Sequence, residues 1–183
     1  MRPQVVKTQR LYLPLPLAHL RDLMVSYCEA EFDRRGKCEP TWLIQAPGWL
    51  VWIETRWDNE VDKIASTEAI SGFLRQFHAV SYSCAIEAYV GNYTPEEVKR
   101  PDFVSPSKRK ERDEVLMIMS WQRGQEEPLF TRFLINAKPG RRSFLGPRVD
   151  EDDKAKWAGG MMNLFMTRSE RYAATDAAVE GKV

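Results

Sequence analysis

Histidine and cysteine are scarce in this 183-residue chain, which holds only His19 and His78 of the first and Cys28, Cys38 and Cys84 of the second. Zinc sites draw three or four Cys, His or carboxylate ligands from close spacing, and no Cys-x-x-Cys occurs, so no metal is expected. An odd number of cysteines without paired spacing is poor material for a disulfide framework and points to a reducing, cytoplasmic setting. The phosphate-cradling Gly-x-x-x-x-Gly-Lys-Ser/Thr loop, the dinucleotide Gly-x-Gly-x-x-Gly and the Gly-x-Ser-x-Gly elbow are all missing, and no cofactor is expected. Long apolar runs are lacking too. The longest stretch without charge, residues 40–53, has Pro47-Gly48 in its middle and falls short of the ~20 residues that span a bilayer. Arg2, Lys7 and Arg10 precede an uncharged run at 11–20, but Pro14, Pro16 and His19 interrupt it and no small-residue cleavage site follows, so no secretory signal is expected. Charge of one sign is absent as well. With 27 Lys+Arg against 26 Asp+Glu, any nucleic-acid or membrane partner must be met by a local patch, and no membrane partner is expected.

What is present is the composition of a soluble globular domain: 43% hydrophobic, 29% charged and 11% aromatic residues. A chain of this length buries roughly 70% of the surface it exposes when unfolded, enough for a core that needs no staple. The expected organisation is a single domain over 1–172 with a long surface loop at 92–113, followed by a flexible tail at 173–183.

Residues 17–35 carry Leu17, Leu20, Met24, Tyr27, Cys28 and Phe32 on one half of a helical wheel, with Pro16 suited to the start and Gly36 to the stop. Residues 42–46 and 49–56 read as a hairpin around Pro47-Gly48. The helical pattern at 59–78 slips at Ser66-Thr67, which predicts either a helix covered on two sides or a break with Thr67 as the second N-cap. Strict alternation over 80–90 predicts a strand with one wet face. Residues 115–121 and 129–135 read as antiparallel core strands joined by a turn at 123–127, and 141–145 as a short edge strand. The acidic run from Asp150 to Asp153 should open a last helix bearing Trp157, Met161, Leu164, Phe165 and Tyr172. The order predicts an α+β fold: a mainly antiparallel sheet of five to six strands with helices packed on it.

The strings Pro40-Thr41-Trp42-Leu43-Ile44, Glu54-Thr55-Arg56-Trp57, Glu87-Ala88-Tyr89, Arg112-Asp113-Glu114-Val115-Leu116 and Leu145-Gly146-Pro147 occur in this order. Over about residues 17–148 the chain resembles a group of uncharacterised bacterial proteins, phage-borne ones among them, with no assigned activity. The resemblance implies a bacterial or mobile-element origin and transfers no catalytic residue. It directs attention to Trp57, Glu87 and Arg112.

Four clusters invite a functional reading. Cys84 near His78 has the minimum for a nucleophile, but its place on an apolar strand face favours a small buried hydrophobe. The Asp150 to Asp153 run has oxygens for a hard cation, although acids at a helix start need none. Glu87, beside Tyr89 and within reach of Glu54, suits acid/base work if burial separates the carboxylates. The simpler reading is a cross-strand ion pair with Arg132 or Arg56. Trp42, Trp49, Trp52 and Trp57 crowd one hairpin. Most should be core, but an exposed Trp57, with Glu87 and Tyr89, would form an interaction surface for a protein partner.

The remaining patch sets Lys99, Arg100, Lys108, Arg109, Lys110 and Arg112 against Asp102 and Glu111, with Phe103 among them. Such a loop can contact phosphates and stack a base. The leading expectation is a non-catalytic protein-interaction or regulatory module. The alternatives are a nucleic-acid-binding module using residues 99–112 and a metal-independent enzyme built around Glu87.

Overall fold

The computed structural model describes residues 3–90, 100–104, 108, 112–125, 127–136, 143–150, 163–166 and 169–171. Among these the elements run β1 (Gln4–Arg10), α1 (Leu17–Arg35), β2 (Thr41–Ala46), β3 (Trp49–Glu54), α2 (Glu60–Gln76), β4 (Ser81–Val90), β5 (Asp113–Gln122), β6 (Leu129–Asn136), β7 (Phe144–Leu145) and β8 (Val149–Asp150). Every strand pairing is antiparallel, and the order across the sheet is β1-β3-β2-β4-β5-β6-β7, with β8 also on β6. The α+β class agrees with the sequence pattern, but the sheet is wider than five to six strands. None of the described helices is long and apolar enough to cross a membrane.

α1 forms where its apolar stripe and its terminators agree. Leu17, Leu20, Met24, Val25, Cys28 and Phe32 are buried at helical spacing, and Gly36, at φ 72°, turns its N–H back to the Phe32 carbonyl at 2.8 Å. The stripe packs on one sheet face built from Leu43, Leu50, Trp52, Ala85, Leu116, Ile118, Phe133 and Ile135. At the hairpin, Ala46 faces Trp49 across Pro47-Gly48, and Gly48 takes the positive φ of 77° that the second position of such a turn requires.

α2 covers the opposite face, where Trp42, Ile44, Val51, Ile53, Tyr82, Cys84, Ile86, Met119, Trp121 and Phe130 meet Ile70 and Leu74. It is one unbroken helix, capped by the Asn59 side chain accepting the Asp62 N–H at 3.0 Å. Neither predicted alternative for 59–78 is realised. Val61 is 74% exposed, so it needs no cover, and Thr67 donates its hydroxyl to the Lys63 carbonyl at 2.7 Å within the helix instead of capping a second one. The buried stripe is Ser66, Ile70, Ser71 and Leu74.

β4 departs from the expected wet face. Tyr82, Cys84 and Ile86 lie under α2, while Ser81, Ser83 and Ala85 are buried on the α1 side. Small side chains let the helix approach, and the Ser120 hydroxyl donates to Ser83 Oγ at 2.8 Å, so burial leaves that pair satisfied. Gln45, also buried, fixes the entry to α1 by accepting the Leu15 N–H at 2.7 Å.

Residues 163–166 complete the α2 side. Leu164 is fully buried, its N–H donates to the Tyr82 hydroxyl at 2.8 Å, and its carbonyl accepts the Ser71 hydroxyl at 2.9 Å. Phe165 sets its ring against Tyr82 with centroids 5.2 Å apart. Arg171 is buried where it donates to the Met166 carbonyl at 2.8 Å and pairs with Glu68. Asp150 lies in β8, not at a helix start, and accepts from Arg148 at 3.0 Å and from Thr131. The rest of the predicted last helix, Trp157, Met161 and Tyr172 included, and the predicted tail at 173–183 lie outside the described residues, as do residues 92–99, 105–107 and 109–111 of the predicted loop.

Candidate functional site

The alternation of strand residues decides which candidates can meet. Trp57 follows β3 on the α2 side, half-buried against Trp42 with ring centroids 5.7 Å apart and with Lys63 Nζ 5.8 Å above it. Glu87 faces the α1 side, because it stands opposite Leu116, which stands opposite Phe133. The predicted surface of Trp57, Glu87 and Tyr89 is therefore not a single surface; the sheet divides it. The same ladder separates Glu87 from Arg132, which neighbours Phe133 and points to the other face. Arg56, the other proposed partner, is exposed and donates to Asp58 at 3.0 Å.

Glu87 instead accepts the Cys38 N–H at 2.8 Å, where the chain leaves α1 for β2. Burial raises its pKa, the Cys38 N–H opposes that shift, and the nearby carboxylates of Glu114 and Glu39 add to it. Glu54 lies on the same face and accepts the Tyr27 hydroxyl. Burial and this bond to Glu54 hold the Tyr27 phenol well above its ordinary range. Each carboxylate thus grips one side of α1's end, Glu54 through the helix and Glu87 through the following turn. Cys84 is fully buried under α2, and burial pushes its thiol up to about 12, so it carries no thiolate at neutral pH. The described residues contain no cluster of three or more His, Cys, Asp or Glu side chains that could hold a metal ion.

The acid pair yields a prediction on stability. A raised pKa means that the folded chain binds the Glu87 proton more tightly than the unfolded chain does, so stability from this group falls as pH rises through the carboxylate range. Glu87→Gln keeps an oxygen for the Cys38 N–H. Its Tm relative to the parent is expected to be higher at pH 7 than at about pH 3.5, where the parent carboxyl is already protonated. Thermal denaturation at the two pH values measures the difference, and the opposite order would show that the ionised carboxylate is a net stabiliser.

Tyr89 belongs with the basic segment. The Arg112 guanidinium lies 4.0 Å above its ring at the end of the β4 and β5 arms, and both residues are exposed. Arg100 and Lys108 are also exposed, and Phe103 is half-buried after a turn closed by its N–H on the Arg100 carbonyl at 3.0 Å. Lys99, Arg109 and Lys110 lie outside the described residues.

A further surface escaped the sequence pattern. Among the described residues β1 pairs only with β3, and all seven of its residues are exposed. A register shift between Val5 and Lys7 bends it, and Lys7 Nζ sits 4.8 Å above the Trp52 ring. At its end the Leu11 N–H donates to the Gly48 carbonyl at 2.9 Å, which brings the next residues to the hairpin tip. There Tyr12 is 90%, Leu13 77% and Trp49 48% exposed. The signal in the sequence was Tyr12-Leu13 set between a strongly basic stretch and Pro14, apolar residues that no helix or core strand could absorb.

No family model matches the chain, and neither a curated protein nor a solved structure similar to it was found.

Proposed function

We propose that this chain is a non-catalytic protein-interaction module, of bacterial or mobile-element origin, that receives an extended acidic segment of a partner protein along β1. The observation that carries the reading is an edge strand that, among the described residues, pairs on one side only and runs into an exposed corner of Tyr12, Leu13 and Trp49. An open edge offers unpaired backbone donors and acceptors to an added strand, and aromatic residues beside it supply the anchoring contact. Charge selects the occupant. No Asp or Glu precedes Asp22, whereas Lys7 and Arg10 lie on the edge itself, so two copies of this edge repel and an acidic strand is attracted.

Selection of random peptides displayed on phage against the full chain tests this reading. Enriched peptides should alternate apolar with Asp or Glu residues. Their affinity should fall about tenfold or more on Trp49→Ala and on combined Lys7→Glu and Arg10→Glu, and stay unchanged on Arg112→Ala. Binders indifferent to both edge variants would remove the edge from consideration.

Nucleic-acid binding is the second reading, supported by Arg112 stacked on exposed Tyr89 and by the exposed Arg100 and Lys108 of the same basic segment. Fluorescence anisotropy with a single-stranded oligonucleotide should then show affinity that drops steeply between about 50 and 200 mM salt and weakens on Arg112→Ala. Affinity indifferent to salt rejects it.

A further inference from the structure

We propose that Cys28 and Cys38 are a redox-active dithiol, which a peroxide converts to a reversible disulfide that ties the end of α1 to the start of β2. The inference is independent of the edge described above. Gly36 ends the helix in the left-handed conformation, and the chain folds back so that Cys38 returns beside the helix turn that holds Cys28. The two sulfurs stand 3.6 Å apart. A disulfide needs about 2.05 Å, so closure asks for a movement of about 1.5 Å, within reach of side-chain rotation and a small shift of the turn.

The surroundings assign an order to the two thiols. Cys38 keeps 4% of its surface accessible and Cys28 none. The Cys38 N–H is held by Glu87 at 2.8 Å, and its thiol sits 3.5 Å from the Glu39 carbonyl, so the turn presents Cys38 outward of Cys28. The hydrogen bond shared with Cys38, together with burial, holds the Cys28 thiol well above its ordinary range, which favours Cys38, the more accessible thiol, as the first to meet peroxide. In the first step Cys38 sulfur attacks one peroxide oxygen, the O–O bond breaks, and the departing hydroxide takes the Cys38 proton to leave water and a sulfenic acid. In the second step Cys28 sulfur attacks Cys38 sulfur, the S–O bond breaks, and the hydroxide leaves as water with the Cys28 proton. Two thiols are oxidised and one peroxide is reduced to two waters. The third cysteine cannot compete, because Cys84 lies under α2 on the opposite face of the sheet.

Intact-mass spectrometry of the full chain before and after hydrogen peroxide tests the proposal. The expected result is a loss of about 2 Da, restored by dithiothreitol, with a non-reducing digest joining the Cys28 and Cys38 peptides and leaving Cys84 free for alkylation. The oxidised chain should also melt about 5 °C higher or more, since the bridge restrains the unfolded chain. Cys28→Ser should stop at a Cys38 sulfenic acid that dimedone traps, about 16 Da above the thiol before trapping. Three thiols that remain alkylatable after peroxide in the parent protein, or a bridge that involves Cys84 or a second molecule, would overturn it, whether or not the serine variant folds.

Discussion

Trp42→Ala is expected to destabilise the fold by about 3–5 kcal/mol, while Trp42→Phe costs less than about 1.5 kcal/mol. Trp42 is buried at the centre of the α2-facing core, between Ile53 of β3 and Cys84 of β4 and against Trp57. Removing the ring leaves a cavity that two flanking strands, locked in register, cannot collapse to fill. The indole N–H works against the native state, because Nε1 is buried with no hydrogen-bond partner among the described residues. Such a group forfeits its hydration at a cost of about 1–3 kcal/mol. Phenylalanine keeps most of the packing and discards that donor, so its smaller volume is offset. Urea denaturation of the parent and both variants measures the two costs. If phenylalanine costs as much as alanine, the indole N–H is not a liability and the balance drawn here fails.

The sequence pattern located elements whose apolar periodicity and terminators agree, and missed those built on other grounds. α1 is bounded by Pro16 and Gly36 and shows one stripe, so its range was legible to the residue. The hairpin needed only the tryptophan-rich runs on either side of Pro47-Gly48. β1 had no such mark. Gln-Val-Val-Lys-Thr-Gln-Arg is exposed throughout, and it becomes a strand because β3 offers an edge, which is a tertiary cause. Buried serines misled the pattern twice. Ser66 and Ser71 belong to the stripe of α2, and Ser81 and Ser83 lie under α1, yet hydropathy counts all four as polar.

The candidate site was legible in its residue types and hidden in its faces. Glu87 and Arg132 are plausible partners until the ladder sets Glu87 opposite Leu116 and Leu116 opposite Phe133, one residue from the arginine. That single step sends the two charges to opposite sides of the sheet. Trp49, rather than Trp57, is the exposed tryptophan of the group for a comparable reason. Trp57 finds Trp42 across a turn that the sequence does not specify, whereas Trp49 stands at a hairpin tip, beside a strand the pattern did not contain. The edge strand β1, the exposed corner and the folded-back cysteine pair all depend on contacts between segments distant in the chain or on turns whose direction composition does not encode.

Leu164→Ala is expected to destabilise the protein by about 2–5 kcal/mol, and the loss should be felt on the sheet as well as in the segment that carries it. Leu164 is where residues 163–166 are fastened. Its side chain is fully buried among the α2-facing apolar residues, its N–H is held by Tyr82 of β4, and its carbonyl by Ser71 of α2. Burial keeps the Tyr82 phenol well above its ordinary pKa, so it stays protonated across the working pH range. Tyr82→Phe and Ser71→Ala each leave one backbone group of Leu164 without its partner. Because both act on the same peptide segment, their costs should not add, and a double-mutant cycle is expected to return a coupling of about 0.5–3 kcal/mol. Hydrogen exchange separates this from a local effect. If the segment merely detaches, only amides near 163–166 lose protection. If it is part of the core, amides of β4 near Tyr82 and of α2 near Ser71 lose protection with them. Exact additivity, together with unchanged exchange in β4 and α2, would show that Leu164 rests on the core without supporting it.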